Sequence, residues 1–476
     1  MKGKFIFGRV SKECYLVLLM ILLGFLFYLW IFLREWLIIG IDGPYYLIQV
    51  RSLLRDGVLL YGDPPLAFYL LAPFSLLLGD VMLGVKVGVS FLCALTVIPT
   101  YILMRRVGNS IRAGYLAMIF TLFSAPYIRM LSDFMKNAIG ILFLFSFIYC
   151  LDRFVFSNYK IKILSLASLF IVLTGLTHIL DFGYAILHLA IYTILVLTLN
   201  LDRKRILEGV SLILPVTLSF MITAVTFFSD LFIDFYKIIS FLKDVASLPA
   251  GETAHSTPQF IKRGIKPKPF PPSIPFSLPI VGGWIFILFL MILGVVLSVY
   301  SWRRNRRDLP IIASVTLELA VISFPAIPNE WLGRLLLMIM IPTIILLSYG
   351  ISEAYWLFRG GKIKLLNVLV IFCIVAFALQ SFNMALKVHP TISPIEYRDL
   401  EEMKGLIPPD SIVVVPLGFG YWVQYVIEVD VGRPSPEIWQ SYTHVFGVYR
   451  KGKLPNIPLK IIYVGKVLIL AELRRI

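Results

Sequence analysis

Four small groups of ionisable residues stand at the ends of long apolar runs: Asp42 in IDGPYY, Asp133 with Lys136 in SDFMKN, His178 with Asp181 in THILDFG, and Glu330 with Arg334 in NEWLGRLLLMIMIP. Charges at the edge of hydrocarbon are costly unless they are paired or functional, so each group is a candidate site. A carboxylate can act as a general base, and two carboxylates can share a hard divalent ion through oxygen ligands. A guanidinium one turn inside an apolar run is a bidentate donor suited to phosphate or carboxylate. Gly43 and Pro44 follow Asp42 and hold the chain in a turn. Each group also has a purely structural reading. Asp42 can cap a helix beginning at Pro44, and Asp133 with Lys136, three apart, can pair on one helical face. His178 and Asp181 can satisfy each other inside a bundle, and Arg334 can bridge to Glu330 one turn before it.

Only a membrane bundle can bring these residues together. With 59% hydrophobic residues, 15% charged and a mean hydropathy of +0.86, the 476-residue chain exceeds what a soluble domain carries. Eleven spans are predicted, near 13–33, 82–104, 113–128, 137–151, 162–177, 181–200, 206–228, 279–301, 309–327, 331–350 and 365–384. The first follows Lys2, Lys4, Arg9 and Lys12 with no small-residue cleavage site after it, and reads as a retained signal anchor. The loops RRVGNSIR, DRFVFSNYKIK, LDRKR, WRRNRR and FRGGKIK fall on one side, each with three or four Lys or Arg. The positive-inside rule then predicts a cytoplasmic N-terminus and an outer C-terminus. The net charge of +16 is thus gathered in topology-setting clusters, and no nucleic-acid partner is expected. Cys14, Cys93, Cys150 and Cys373 lie in or beside apolar runs, which argues against a disulfide framework.

Three long segments are left on the outer side: 34–81, 229–278 and everything after about 385. The first holds DGPYYLIQVRSLLRDG and PPLAFYLLAPFSLLLG, too short to span and expected along the outer interface. The second, with KRGIKPKPFPPSIPFSLP, is Pro-rich and basic, a poor helix former. In the third, SPIEYRDLEEMKG has a helix signature: Ser393 as N-cap, Pro394 in the first turn, Glu396 completing a capping box and Gly405 as the stop. SIVVVPLGFGYWV, IIYVG and KVLILAELRR read as short strands. The expected architecture is an all-α polytopic membrane bundle over 1–384 with a small α+β extracytoplasmic domain over 385–476. No internal repeat is present, which counts against an inverted-repeat transporter.

The order of these features resembles the GT-C superfamily, membrane glycosyltransferases that use polyprenyl-phosphate sugars and include protein mannosyltransferases, lipid A aminoarabinose transferases and oligosaccharyltransferase catalytic subunits. The likeness rests on an Asp in the first outer loop (IDGPYY), then RSLLRDG, then PPLAFYLLAPFSLLLG and a span closing in RR. It continues through SDFMKN and the Arg-then-Pro span GRLLLMIMIP, and so covers roughly residues 13–350. The resemblance implies transfer of a hexosyl or pentosyl group from a polyprenyl-phosphate-linked donor to a lipid, glycan or protein acceptor at the outer face of the cell membrane. It implies Asp42 as the catalytic base or a metal ligand and Asp133 as its acidic partner, with Arg334, Lys136, His178 and Asp181 around the lipid phosphate and donor. Asp63 departs from the pattern, standing before PPL where aminoarabinose transferases have Lys, and this argues against phosphate binding there. The WWDYG-type motif of oligosaccharyltransferases is absent, which argues against glycosylation of an Asn sequon.

The implied chemistry is coherent. A hydroxyl attacking an anomeric carbon needs a base, and a departing phosphate needs cations around its growing charge. A carboxylate that does not itself attack, with the leaving group on the opposite face of the sugar, implies inversion. Alternatively, Asp42 and Asp133 share a magnesium or manganese ion. A transporter or lipid flippase is the competing reading, and its signature is charge at mid-membrane depth. The chief mid-span charges are Lys86, Asp80 and Glu318, while the outer segments are long, which favours the enzyme. A sensor whose C-terminal domain binds a ligand through YWVQY is a third reading.

Overall fold

The computed structural model describes residues 12–156, 160–232, 280–304, 306–358, 363–415, 419–432, 438, 442–455 and 458–473. The Pro-rich segment of the second long loop lies outside them, as does the side chain of Glu330. In lipid every backbone N–H and C=O must be satisfied within the chain, so long apolar runs become helices. They are α1 (Lys12–Leu33), α2 (Gly43–Asp56), α3 (Leu66–Leu78), α4 (Val81–Ala94), α5 (Val97–Val107), α6 (Ile111–Leu122), α7 (Ala125–Asp133), α8 (Met135–Phe156) and α9 (Lys160–Thr177). Next come α10 (Ile179–Thr198), α11 (Arg203–Phe227), α12 (Ile280–Arg304), α13 (Leu309–Ile322), α14 (Asn329–Leu335), α15 (Met340–Leu357) and α16 (Ile363–Lys387). A 3-10 turn, Leu336–Ile339, joins α14 to α15.

Among the described residues, eight helices are long and apolar enough to cross a membrane: α1, α4 with α5, α8, α10, α11, α12, α14 with α15, and α16. A ninth is formed if α6 and α7, bent by 45° at Phe123–Ser124, are one span. The spans expected near 162–177 and 309–327 correspond to the shorter apolar helices α9 and α13. The bend has a local cause. Ser124 leaves the helical conformation and accepts from the Tyr127 N–H (3.4 Å), and Pro126 in the new first turn needs no N–H partner.

Two of the three expected mid-span charges lie elsewhere. Asp80 is the N-cap of α4, accepting from the Leu83 N–H (2.6 Å). Lys86 donates to the carbonyls of Glu35 (2.8 Å) and Trp36 (2.7 Å) and so ties α4 to the segment after α1. Glu318 alone is deep in the bundle, wholly buried, with His188 Nδ1 2.6 Å from its Oε1.

In the first loop, α2 is covered by protein along most of its length, with Tyr45, Tyr46, Leu47, Ile48, Gln49 and Val50 all buried. One side packs on α3 and α4, and the other is covered by a helix of the C-terminal segment, α18 (Gly420–Ile427). That segment begins with α17 (Pro394–Met403), whose Ser393 and Glu396 form the expected capping box. Gly405 is not a left-handed stop; α17 tightens into a 3-10 turn, Lys404–Leu406, that contains it. The strands are β1 (Ser411–Val414), β2 (Asp430–Gly432), β3 (His444–Arg450), β4 (Leu459–Val464) and β5 (Leu468–Leu473), in sheet order β2-β1-β3-β5-β4. β1 runs parallel to β2 and β3, and β5 antiparallel to β3 and β4. Of SIVVVPLGFGYWV, expected as a strand, Ser411–Val414 is β1, while GYWV opens α18. Its Trp422 is wholly buried with Nε1 on Thr391 Oγ1 (2.9 Å), so YWVQY does not present its largest ring to solvent.

A strap over residues 34–42 connects α1 to α2 beneath this module. Arg34 donates to the carbonyls of Ala385 (2.6 Å) and Val388, and Gly40 donates to the His389 carbonyl (3.2 Å). Gly40 has φ +88°, and a Cβ there would stand 1.9 Å from the Ser132 carbonyl oxygen. Gly40→Ala is therefore expected to lower thermal stability, with about 1–3 kcal/mol from the backbone conformation alone and more from the clash. Gly57→Ala is the control, since Gly57 has φ +73° but no atom within 4 Å of a Cβ. Equal melting temperatures for the two variants would contradict this account of the strap.

Candidate functional site

Asp42 ends the strap. It occupies the N-cap position of α2, yet its backbone is helical (φ −89°, ψ 0°) and its side chain makes no capping hydrogen bond. Ser, Asp and Asn caps normally sit in extended backbone, which aims the oxygen at the N2 or N3 amide. The structural reading of Asp42 as a cap is thereby removed, and a half-buried carboxylate is held beside the bundle.

The buried Tyr46 hydroxyl marks where several charges meet. Burial holds its phenol well above the ordinary value, Asp42 adds to this, the backbone N–H of Lys136 (3.1 Å) opposes it, and Asp63 and Asp133 contribute further. Three carboxylates from separate parts of the chain thus act on one hydroxyl. Tyr46 was not among the residues singled out by sequence, though it directly follows the IDGPY turn.

Asp133 and Lys136 do not share a helical face. Asp133 is the last residue of α7, Phe134 breaks the helix (φ −132°, ψ 57°), and α8 starts at Met135. The break turns the two side chains toward different partners. Asp133 Oδ1 accepts from the Ile41 N–H (3.1 Å), and its Oδ2 lies 2.7 Å from Arg129 Nη2, an ion pair between residues one turn apart on α7. Lys136 Nζ forms a salt bridge with Asp63, which is wholly buried and also accepts from the Tyr45 hydroxyl. The charge of Lys136 is thus matched by a carboxylate inside the protein. Asp63, the departure from the family pattern, is its partner.

Behind this pair lie His178 and Asp181. His178 is the N-cap residue of α10 without a capping hydrogen bond, and its Nδ1 is 3.5 Å from Asp181 Oδ2, an ion-pair separation. Asp181 is wholly buried against Gly140, where a Cβ would stand 2.1 Å from Oδ2, and it lies within electrostatic reach of Lys136. Asp181 thus stands between an imidazole and an ammonium.

Arg334 is in the last turn of α14, half-buried, and makes no hydrogen bond or ion pair among the described residues. The 3-10 turn after it packs on α7, the helix that ends in Asp133. Among the described residues nothing neutralises this guanidinium, and Glu330, its alternative partner, has its side chain outside them. For a metal the donor set is thin: no three His, Cys, Asp or Glu among the described residues group closely enough to hold one. Asp133 already faces Arg129, so water or substrate oxygens would have to complete any ion shared with Asp42.

No family model matches the chain, and no curated protein matches it in sequence. Solved structures do match. The archaeal oligosaccharyltransferase AglB from Archaeoglobus fulgidus, in complex with an inhibitory peptide and a dolichol-phosphate, superposes with a TM-score of 0.65 at 12% identity, over 92% of this chain and 70% of that one. The Archaeoglobus fulgidus oligosaccharyltransferase in complex with Zn and sulfate gives 0.61 at 11% identity, over 90% and 67%. ArnT from Cupriavidus metallidurans in the apo state gives 0.59 at 11% identity, over 97% of this chain and 98% of that one. At such identities the likeness is one of fold: this chain shares the fold of these two proteins, AglB and ArnT.

Proposed function

We propose that the protein transfers a sugar from a polyprenyl-phosphate-linked donor to an acceptor at the outer face of the cell membrane, with Asp42 as the base and inversion at the anomeric carbon. The observation that carries this reading is the Asp42 carboxylate, which stands half-buried at a helix start without capping it, directly after Ile41, whose N–H Asp133 holds. The fold shared with AglB and ArnT supports the reaction class, and the dolichol-phosphate in the AglB complex supports the donor class.

In the proposed reaction the acceptor hydroxyl gives its proton to Asp42 while its oxygen bonds to the anomeric carbon. The bond from that carbon to the phosphate oxygen breaks, and the polyprenyl phosphate leaves from the opposite face of the sugar. Arg334 takes up the charge that grows on the phosphate. Asp133 acts as a positioning residue, because it holds the N–H of Ile41, the residue before Asp42. The Lys136–Asp63 pair supplies a fixed dipole beside the site, with Asp181 and His178 behind it. The alternative for Asp42 and Asp133, a shared magnesium or manganese ion, is tested by whether turnover survives chelation.

The proposed topology counts eleven spans: the eight long helices, the bent α6–α7 pair, and the shorter α9 and α13. The N-terminus is cytoplasmic, residues 1–384 form the catalytic membrane domain, and residues 385–476 form an outer module. The acceptor is a lipid, glycan or protein hydroxyl.

Arg334→Gln is expected to weaken binding of polyprenyl phosphate by about 10- to 100-fold, the range of one or two charge-assisted hydrogen bonds, and Arg334→Lys less. Microscale thermophoresis with the purified protein measures this, and unchanged affinity in Arg334→Gln would remove the phosphate role. The function itself is tested by giving purified protein in lipid a panel of labelled polyprenyl-phosphate sugars. Label moving into product with release of polyprenyl phosphate is expected. Intact donor crossing the bilayer without cleavage would replace the enzyme with a flippase.

A further inference from the structure

The outer module reaches the site through a row of buried hydrogen bonds. It starts on α18, where Gln424 Oε1 accepts from the Tyr61 hydroxyl. Tyr61 lies in the segment between α2 and α3, which has no helix or strand of its own. Its position is fixed by Gln49 of α2, whose amide accepts from the Tyr61 N–H (2.9 Å) and donates to the Tyr61 carbonyl (2.8 Å). The same Gln49 amide donates to the Tyr45 hydroxyl (3.0 Å), Tyr45 donates to Asp63, and Asp63 holds the Lys136 ammonium. The backbone N–H of Lys136 ends the row on Tyr46. Gln49 and Asp63 are wholly buried, and Tyr45, Tyr61 and Gln424 nearly so. Tyr45 and Tyr61 stack at 5.9 Å between centroids, with Tyr421 of α18 against both.

A second set of contacts holds the module to α2 at the rim. Arg51 donates to the Tyr425 carbonyl (2.8 Å), and Glu428 meets Arg51, Arg55 and Lys404 in a partly exposed cluster. Such exposed pairs contribute little to rigidity. The buried row is different: its bonds share members, with Gln49 bonded to both Tyr61 and Tyr45 and Asp63 to both Tyr45 and Lys136, so moving one moves the next. Asp63 sits in an irregular segment, so its placement depends on these bonds and not on helix geometry.

We infer that Gln424 is a positioning residue for the transfer site, so that the outer module is part of the catalytic machinery and not an appended binding domain. The inference rests on the proposed site, and its role is to keep the segment 57–65, and with it Asp63 and Lys136, in register with Asp42. A near-isostere without an acceptor oxygen, Gln424→Met, is expected to lower kcat about tenfold with little change in donor KM. Gln424→Glu, which can still accept from Tyr61, should restore most of it. Tyr61→Phe should match Gln424→Met, and the double variant should be no worse than either, because both remove one bond.

Hydrogen–deuterium exchange decides the matter independently of activity. Faster exchange confined to residues 57–65 in Gln424→Met, absent in Gln424→Glu and in the rim control Glu428→Gln, is the expected result and holds even if no donor in the panel is used. Unchanged exchange, or faster exchange spread over the whole module, would overturn the inference. Additive losses in the double variant would overturn it too.

Discussion

Asp42→Asn is expected to reduce sugar transfer by about 10²- to 10⁴-fold, the range associated with loss of a general base. The substitution keeps the shape of the side chain and removes its basicity. Stability should not fall with activity. Asp42 makes no capping bond, so the isosteric change removes no cap from α2. The expected melting temperature is close to that of the wild type. Initial rates with labelled donor, taken beside thermal unfolding in the same detergent, separate the two effects. A variant that retains its rate would show that Asp42 is not the base.

The largest expected effect on stability belongs to Lys136. Lys136→Met takes its salt bridge from the wholly buried Asp63, and breaking a buried pair in this way costs about 3–5 kcal/mol. Asp63→Asn should cost less. The ammonium it leaves behind still has Asp181 within electrostatic reach. The double variant Asp63→Asn with Lys136→Met should recover most of the loss, because neither of the two positions then carries a charge. Unfolding of the four proteins forms a double-mutant cycle. Additive effects would mean that the two side chains do not meet.

The comparison of sequence with structure turns on what each residue needs in order to be placed. The apolar runs are legible because lipid permits few alternatives to helix. The α17 capping box is legible because Ser393, Pro394 and Glu396 act within one turn. The break between α7 and α8 is not, since a three-residue spacing looks the same whether or not Phe134 interrupts the helix. The start of α7 was available in Ser124-Ala125-Pro126, a cap followed by a first-turn proline. GYWVQYVI has the aromatic and β-branched composition of a strand, and packing against α2 makes it a helix. Asp63 and Lys136 are 73 residues apart, and no local pattern links them. Asp42 is legible as a candidate, but that it fails to cap α2 depends on its backbone angles.

The account stands most directly on where a polyprenyl phosphate binds. A polyprenyl-phosphate analogue with a photoreactive group beside the phosphate, irradiated with the purified protein in lipid and mapped by mass spectrometry, measures this. Labelling of the strap and α2 around Asp42, of the α7–α8 junction around Asp133 and of α14 around Arg334 is the predicted result, competed away by unlabelled polyprenyl phosphate. Competable labelling confined to other helices would contradict the account.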